Sequence, residues 1–176
     1  MTARLEKSIH TLARIMALAG GLVLTALIIV TVISVTGRAF VFAGLGPIPG
    51  DFELMEAGTA FAVFAFLPWC QLNRSHAVVE ILTMHFSDTA NRLIEIVANA
   101  LMLAFAVLIC WRHWLGTIDK QSYGETTFIL QFPLWWAYAA SLVGAVVFVI
   151  IALWCLWRSL VEFRTGSTMT VHGEMS

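Results

Sequence analysis

The sequence predicts an all-α membrane protein, a single integral membrane domain over residues 1–176, with four transmembrane helices and a short interfacial amphipathic helix between the second and third. Three observations lead there. Hydrophobic residues make up 60% of the chain and charged residues only 12%, whereas a soluble domain carries about 25% charge and a globule this small cannot hide so much apolar surface from water. Four apolar windows approach the roughly 20 residues that a helix needs to cross a hydrocarbon core of about 30 Å. The charged residues lie between these charge-free windows or in the tails. The same composition excludes disorder. Ten Lys plus Arg against eleven Asp plus Glu give a net charge of -1, which excludes a phosphate-seeking surface, so no nucleic acid is expected as a partner. Cys70, Cys110 and Cys155 each stand alone in apolar sequence, which provides neither a redox pair nor a zinc site.

The first span is placed at about 14–37, charge-free from Ile15 to Gly37. Arg4, Lys7 and Arg14 ahead of an apolar run resemble a secretory leader, but the run is longer than the 7–15 residues of a leader core and continues into Thr36, Gly37 and Arg38, so an uncleaved helix is expected. Gly44, Gly46, Pro47, Pro49 and Gly50 then mark a loop. The second span, about 52–73, reaches full length only if the turn carrying Glu53 and Glu56 enters the headgroup layer. After it, Val78, Ile81, Leu82 and Phe86 share one helical face while Glu80 and Thr83 lie elsewhere, which predicts an interfacial helix over about 77–86.

Ser87 or Asp88 caps the third span, about 90–112. Its first turns carry Asn91, Glu95 and Asn99 at four-residue spacing, a polar stripe too costly for lipid and therefore expected to face protein. Pro133 suits the first turn of the fourth span, about 133–157. Trp135, Trp136 and Tyr138 at one end and Trp154 and Trp157 at the other form two aromatic belts. With four spans, Arg4, Lys7, Arg14, Arg74, Arg92, Arg158 and Arg164 fall on one side and only Arg38, Arg112 and Lys120 on the other. The positive-inside rule then makes both termini cytoplasmic, as tails 1–13 and 158–176.

The span centres carry no charge, and so no catalytic, cofactor or metal site is expected. Thr25, Thr31, Ser34, Thr59 and Ser141 are mild hydroxyls that commonly bond back to their own helix. His10, His76, His85, His113 and His172 all lie outside the windows, which argues against a haem-bearing four-helix electron carrier. Small residues recur every fourth position at Ala13, Ala17, Gly21 and Thr25, and again at Ala137, Ser141 and Ala145, as packing ridges do in lipid.

Three segments together resemble the small, DctQ-type membrane subunit of tripartite ATP-independent periplasmic (TRAP) transporters. They are the acidic opening of the second span, Glu53 or Glu56; the run from Trp69 through Cys70, Gln71, Leu72, Asn73, Arg74, Ser75 and His76, followed by Val78-Val79-Glu80-Ile81-Leu82; and Phe132-Pro133-Leu134-Trp135-Trp136-Ala137-Tyr138. The likeness covers about 9–160 and departs from the usual pattern at Ser75, Ala77 and Glu80, where glycine, an aliphatic residue and aspartate are commoner. The resemblance implies a non-catalytic subunit of the bacterial inner membrane that scaffolds a large, sodium-coupled membrane subunit. A periplasmic solute-binding protein would deliver an organic acid or related solute to that pair.

Glu53 and Glu56 are candidates for contact with a partner near the periplasmic end, and Trp69 for anchoring an interface. Arg74 suits lipid phosphate, and the resemblance implies a structural bond for His76. Gln71, Glu80, Asn91 and Glu95 complete the candidate interface with partner or membrane lipid. Arg112, His113, Asp119, Lys120 and Glu125 are expected in a solvated periplasmic connection. The alternative is an independent homo-oligomeric carrier or channel, lined by Glu95 and Asn99.

Overall fold

A computed structural model describes residues 2–73 and 88–165. These form four helices, α1 (Thr2–Ala39), α2 (Asp51–Leu72), α3 (Asp88–Tyr123) and α4 (Leu134–Thr165), with a 3-10 turn at Val41–Ala43. Among the described residues no strand forms, and the only β pairing is an isolated bridge between Thr126 and Pro133. Leu5–Ala39, Asn91–Tyr123 and Leu134–Arg164 are each long and apolar enough to cross a membrane. The expected interfacial helix at 77–86 lies outside the described residues.

Three of the four helices overrun the lengths that hydropathy suggests, and α2, with 22 residues, matches its expected span. α1 has 38 residues and α3 has 36, about 55 Å of helix each at a rise of about 1.5 Å. One correction follows: Arg112, His113, Asp119 and Lys120 belong to α3 rather than to a loop. Hydropathy marks where lipid ends, but backbone hydrogen bonding continues until a residue interrupts it. Here that residue is Gly124, in the left-handed region at φ +62°. α4 starts at Leu134, with the Trp136 N–H donating to the Pro133 carbonyl.

α1 packs on α2, α2 on α4, and α4 on α3, so α2 and α4 form the centre. The principal core joins Ala13 and Met16 of α1, Ala65 and Leu72 of α2, and Val147, Ile151 and Cys155 of α4. A second cluster joins Ala106 of α3 to Phe148 and Ala152 of α4. Half of the apolar window of α4 is buried, against 11% for α1 and 6% for α3, so the outer helices turn most of their surface away from the chain.

Close approach depends on small residues, as helix packing in lipid requires. A Cβ on Gly20 would stand 3.0 Å from Ala65 Cβ, and one on Gly144 would stand 2.7 Å from the Phe64 carbonyl oxygen. That carbonyl is the one four residues before Pro68, which has no N–H to offer it. The expected ridge on α4 does pack inward, with Ser141 and Ala145 each 1% exposed. On α1 the ridge turns away after Ala13: Gly21 meets nothing within 4 Å, Thr25 is exposed, and Gly20 makes the contact instead. Each four-residue step overshoots a turn by about 40°, so three such steps leave the starting face.

Candidate functional site

Polar side chains gather at the two ends of the bundle. At the end carrying the α1–α2 and α3–α4 connections, Ser34 Oγ donates to Asp51 Oδ2 at 2.5 Å and accepts the Ile48 N–H at 3.3 Å. Arg38 pairs with the same carboxylate at 3.5 Å. Thr25, Thr31 and Ser141 bond back to their own helices, as such hydroxyls do. Ser34 instead ties α1 to the loop and to the first residue of α2. A Cβ on Gly37 would overlap the Gly46 carbonyl oxygen, so this corner closes only around glycine.

The second connection is fastened by Glu53. Its carboxylate accepts the N–H groups of Ile129 at 2.6 Å and Leu130 at 2.9 Å. These are charge-assisted bonds, stronger than neutral ones. Leu130 seats over Gly50, whose φ is +78° and whose Cβ would lie 2.5 Å from Leu130 Cγ. The connection is shaped further by Lys120 bonding Glu125 at 2.5 Å and by the Thr127 hydroxyl accepting the Phe132 N–H. Behind it, His113 of α3 lies between Phe64 of α2 and Tyr138 of α4, with ring centroids 4.9 and 5.2 Å apart, and its Nε2 is 3.1 Å from the Tyr138 carbonyl. Glu56, one turn beyond Glu53, is exposed and makes no hydrogen bond or ion pair with the described residues.

At the opposite end, Gln71 Nε2 donates to Asn99 Oδ1 at 3.0 Å, and Asn99 Nδ2 donates to Ser159 Oγ at 2.8 Å. One relay therefore links α2, α3 and α4. Gln71 and Ser159 are 2% and 3% exposed, and the Cys155 thiol also points to the Gln71 carbonyl, at 3.7 Å. One turn further along α4, Arg158 and Glu162 pair at 3.0 Å in a largely buried setting. Trp69 is half-buried, edge-on to His10 at 5.3 Å. Asn91 and Glu95 continue the Asn99 face of α3 and are half-buried, and Asn91 Oδ1 has no hydrogen-bond partner among the described residues.

The structure thus brings Gln71 to Asn99 and Glu53 to the α3–α4 connection. It places Glu56 at a surface, while Arg74, His76 and Glu80 lie outside the described residues. Sequence reasoning missed Asp51 and Ser159, and it named Ser34, His113 and Tyr138 without the contacts they make. Asp51 had a local signal, an acid opening a helix after a glycine. For the others the partner is on another helix and no local pattern marks it. Among the described residues no three His, Cys, Asp or Glu side chains converge as metal ligands would.

A sequence model of the family described as tripartite ATP-independent periplasmic transporters, DctQ component, matches residues 27–162. No curated protein and no solved structure matches the chain.

Proposed function

The chain belongs to the DctQ family, the small membrane component of TRAP transporters, and from that premise we propose that it is a non-catalytic brace for the large membrane subunit. That subunit moves the solute, coupled to sodium, and a periplasmic binding protein delivers an organic acid or a related solute. In this reading all four helices cross the inner membrane, α2 as the shortest span, and both termini are cytoplasmic. The Gln71 relay then sits at the cytoplasmic end and the Glu53 clamp at the periplasmic end.

The relay of Gln71, Asn99 and Ser159 is the observation that carries the proposal. A transporter keeps polar groups at depth for its cargo. Here the deepest amides are spent on one another, joining three helices. Such bonds resist sliding and tilting while the apolar outer faces of α1 and α3 remain for lipid or for a partner. An independent channel lined by Asn99 is disfavoured by the same bonds, which use both ends of its amide.

Affinity capture of the tagged full chain from its own membranes in a mild detergent tests this. A larger multi-span permease recovered at a fixed ratio supports the proposal. The chain recovered alone, or only as copies of itself, contradicts it.

A further inference from the structure

A cavity of about 210 Å³ lies below the clamped connection. α2 contributes Glu53 and Glu56 to it, α3 contributes His113, the connection contributes Phe132, and α4 contributes Tyr138 and Ser141. Pockets for drug-sized ligands measure roughly 300–1,000 Å³. This one is smaller and takes a group of a few heavy atoms.

The polar groups lining it are unequal. Glu53 is occupied by the Ile129 and Leu130 N–H groups, the Ser141 hydroxyl by the Ala137 carbonyl, and His113 Nε2 faces the Tyr138 carbonyl. Glu56 has no such engagement among the described residues. Among the described residues no Lys or Arg lines the cavity; at this end Arg38 and Lys120 are paired with Asp51 and Glu125, and Arg112, next to His113, is exposed outside the lining. A carboxylate only accepts hydrogen bonds, and aromatic walls favour cations. A ligand that engages Glu56 must therefore bring donors, and a positive charge complements the carboxylate. Among the described residues too few ligating side chains converge for a divalent metal.

We propose that this cavity binds a primary ammonium group on a short carbon chain, with Glu56 as its counter-ion and Phe132 and Tyr138 as walls. Two sources share that chemistry, the ethanolamine headgroup of a membrane lipid and a free alkylamine. The site does not depend on the bracing role.

Native mass spectrometry of the full chain in detergent tests it, with phosphatidylethanolamine and phosphatidylcholine supplied at equal concentration and ethanolamine as the soluble competitor. One saturable adduct is expected, favouring phosphatidylethanolamine by about tenfold because only its headgroup carries N–H donors. Glu56→Gln is expected to remove the preference, and Glu56→Asp and Asp119→Asn to keep it, each variant first shown to melt like the parent. An ethanolamine adduct lost in Glu56→Gln, without a lipid adduct, supports the ammonium site and assigns it to the free amine. Equal retention of the two lipids with no ethanolamine adduct overturns the proposal, as does a preference unchanged in Glu56→Gln.

Discussion

Gly144 of α4 lies so close to Phe64 of α2 that a Cβ on the glycine would stand 2.7 Å from the Phe64 carbonyl oxygen. Pro68 has no N–H to give that carbonyl its usual helix donor, and the oxygen lies where the two central helices meet. Gly144→Ala should then separate α2 from α4 and cost about 1–3 kcal/mol, the usual penalty of overpacking. Gly21→Ala, with nothing within 4 Å, should stay within about 0.5 kcal/mol of the parent. Unfolding of both variants in detergent checks the contrast, and equal losses would refute this packing.

The Gln71 relay predicts an ordered series. Asn99→Ala leaves both Gln71 and Ser159 without their bond, whereas Ser159→Ala removes only one. Interhelical hydrogen bonds in membranes contribute about 0.6 kcal/mol on average and up to about 1.7. Asn99→Ala should therefore cost more than Ser159→Ala, and a double-mutant cycle between Gln71 and Asn99 should give a coupling of that size. A coupling of zero would mean that the two amides do not hold α2 to α3.

Loss of the carboxylate in Glu53→Ala deprives Ile129 and Leu130 of their acceptor. These bonds are charge-assisted, so amide exchange at the two residues should accelerate when their acceptor is lost. Glu56→Ala should leave that exchange unchanged. Exchange read on the segment 124–133 distinguishes the two glutamates, which sequence spacing alone made equivalent.

Gly50 is placed to report on the same clamp from below. Its φ of +78° and its contact with Leu130 make Gly50→Ala costly on two counts, backbone strain and a clash. Adding Leu130→Ala should relieve the clash and leave the strain, recovering part of the lost stability. Full recovery, or none, would show that one of the two terms is missing.

Existence of the helices was legible because hydrocarbon imposes a length of apolar sequence, and α1, α3 and α4 carry it plainly. Their ends were not. Arg112 to Tyr123 read as a connection because charge appears there, yet helical bonding tolerates charge and stops only at Gly124. The stripe of Asn91, Glu95 and Asn99 was legible as a protein-facing surface, since polarity at the start of a span is expensive in lipid. Its partners Gln71 and Ser159 were not, because residues 28 and 60 positions away from Asn99 meet only through packing. Ser34 shows the same limit: its composition resembles that of Thr25 and Thr31, but only the fold brings Asp51 within reach.

Solute uptake by proteoliposomes decides most directly whether this chain braces a carrier or is one. With the large subunit, the binding protein and a sodium gradient present, uptake should require this chain and should fall when Asn99→Ala loosens the relay. The chain reconstituted alone should take up nothing, and gradient-driven accumulation by it without any partner would contradict the bracing role outright.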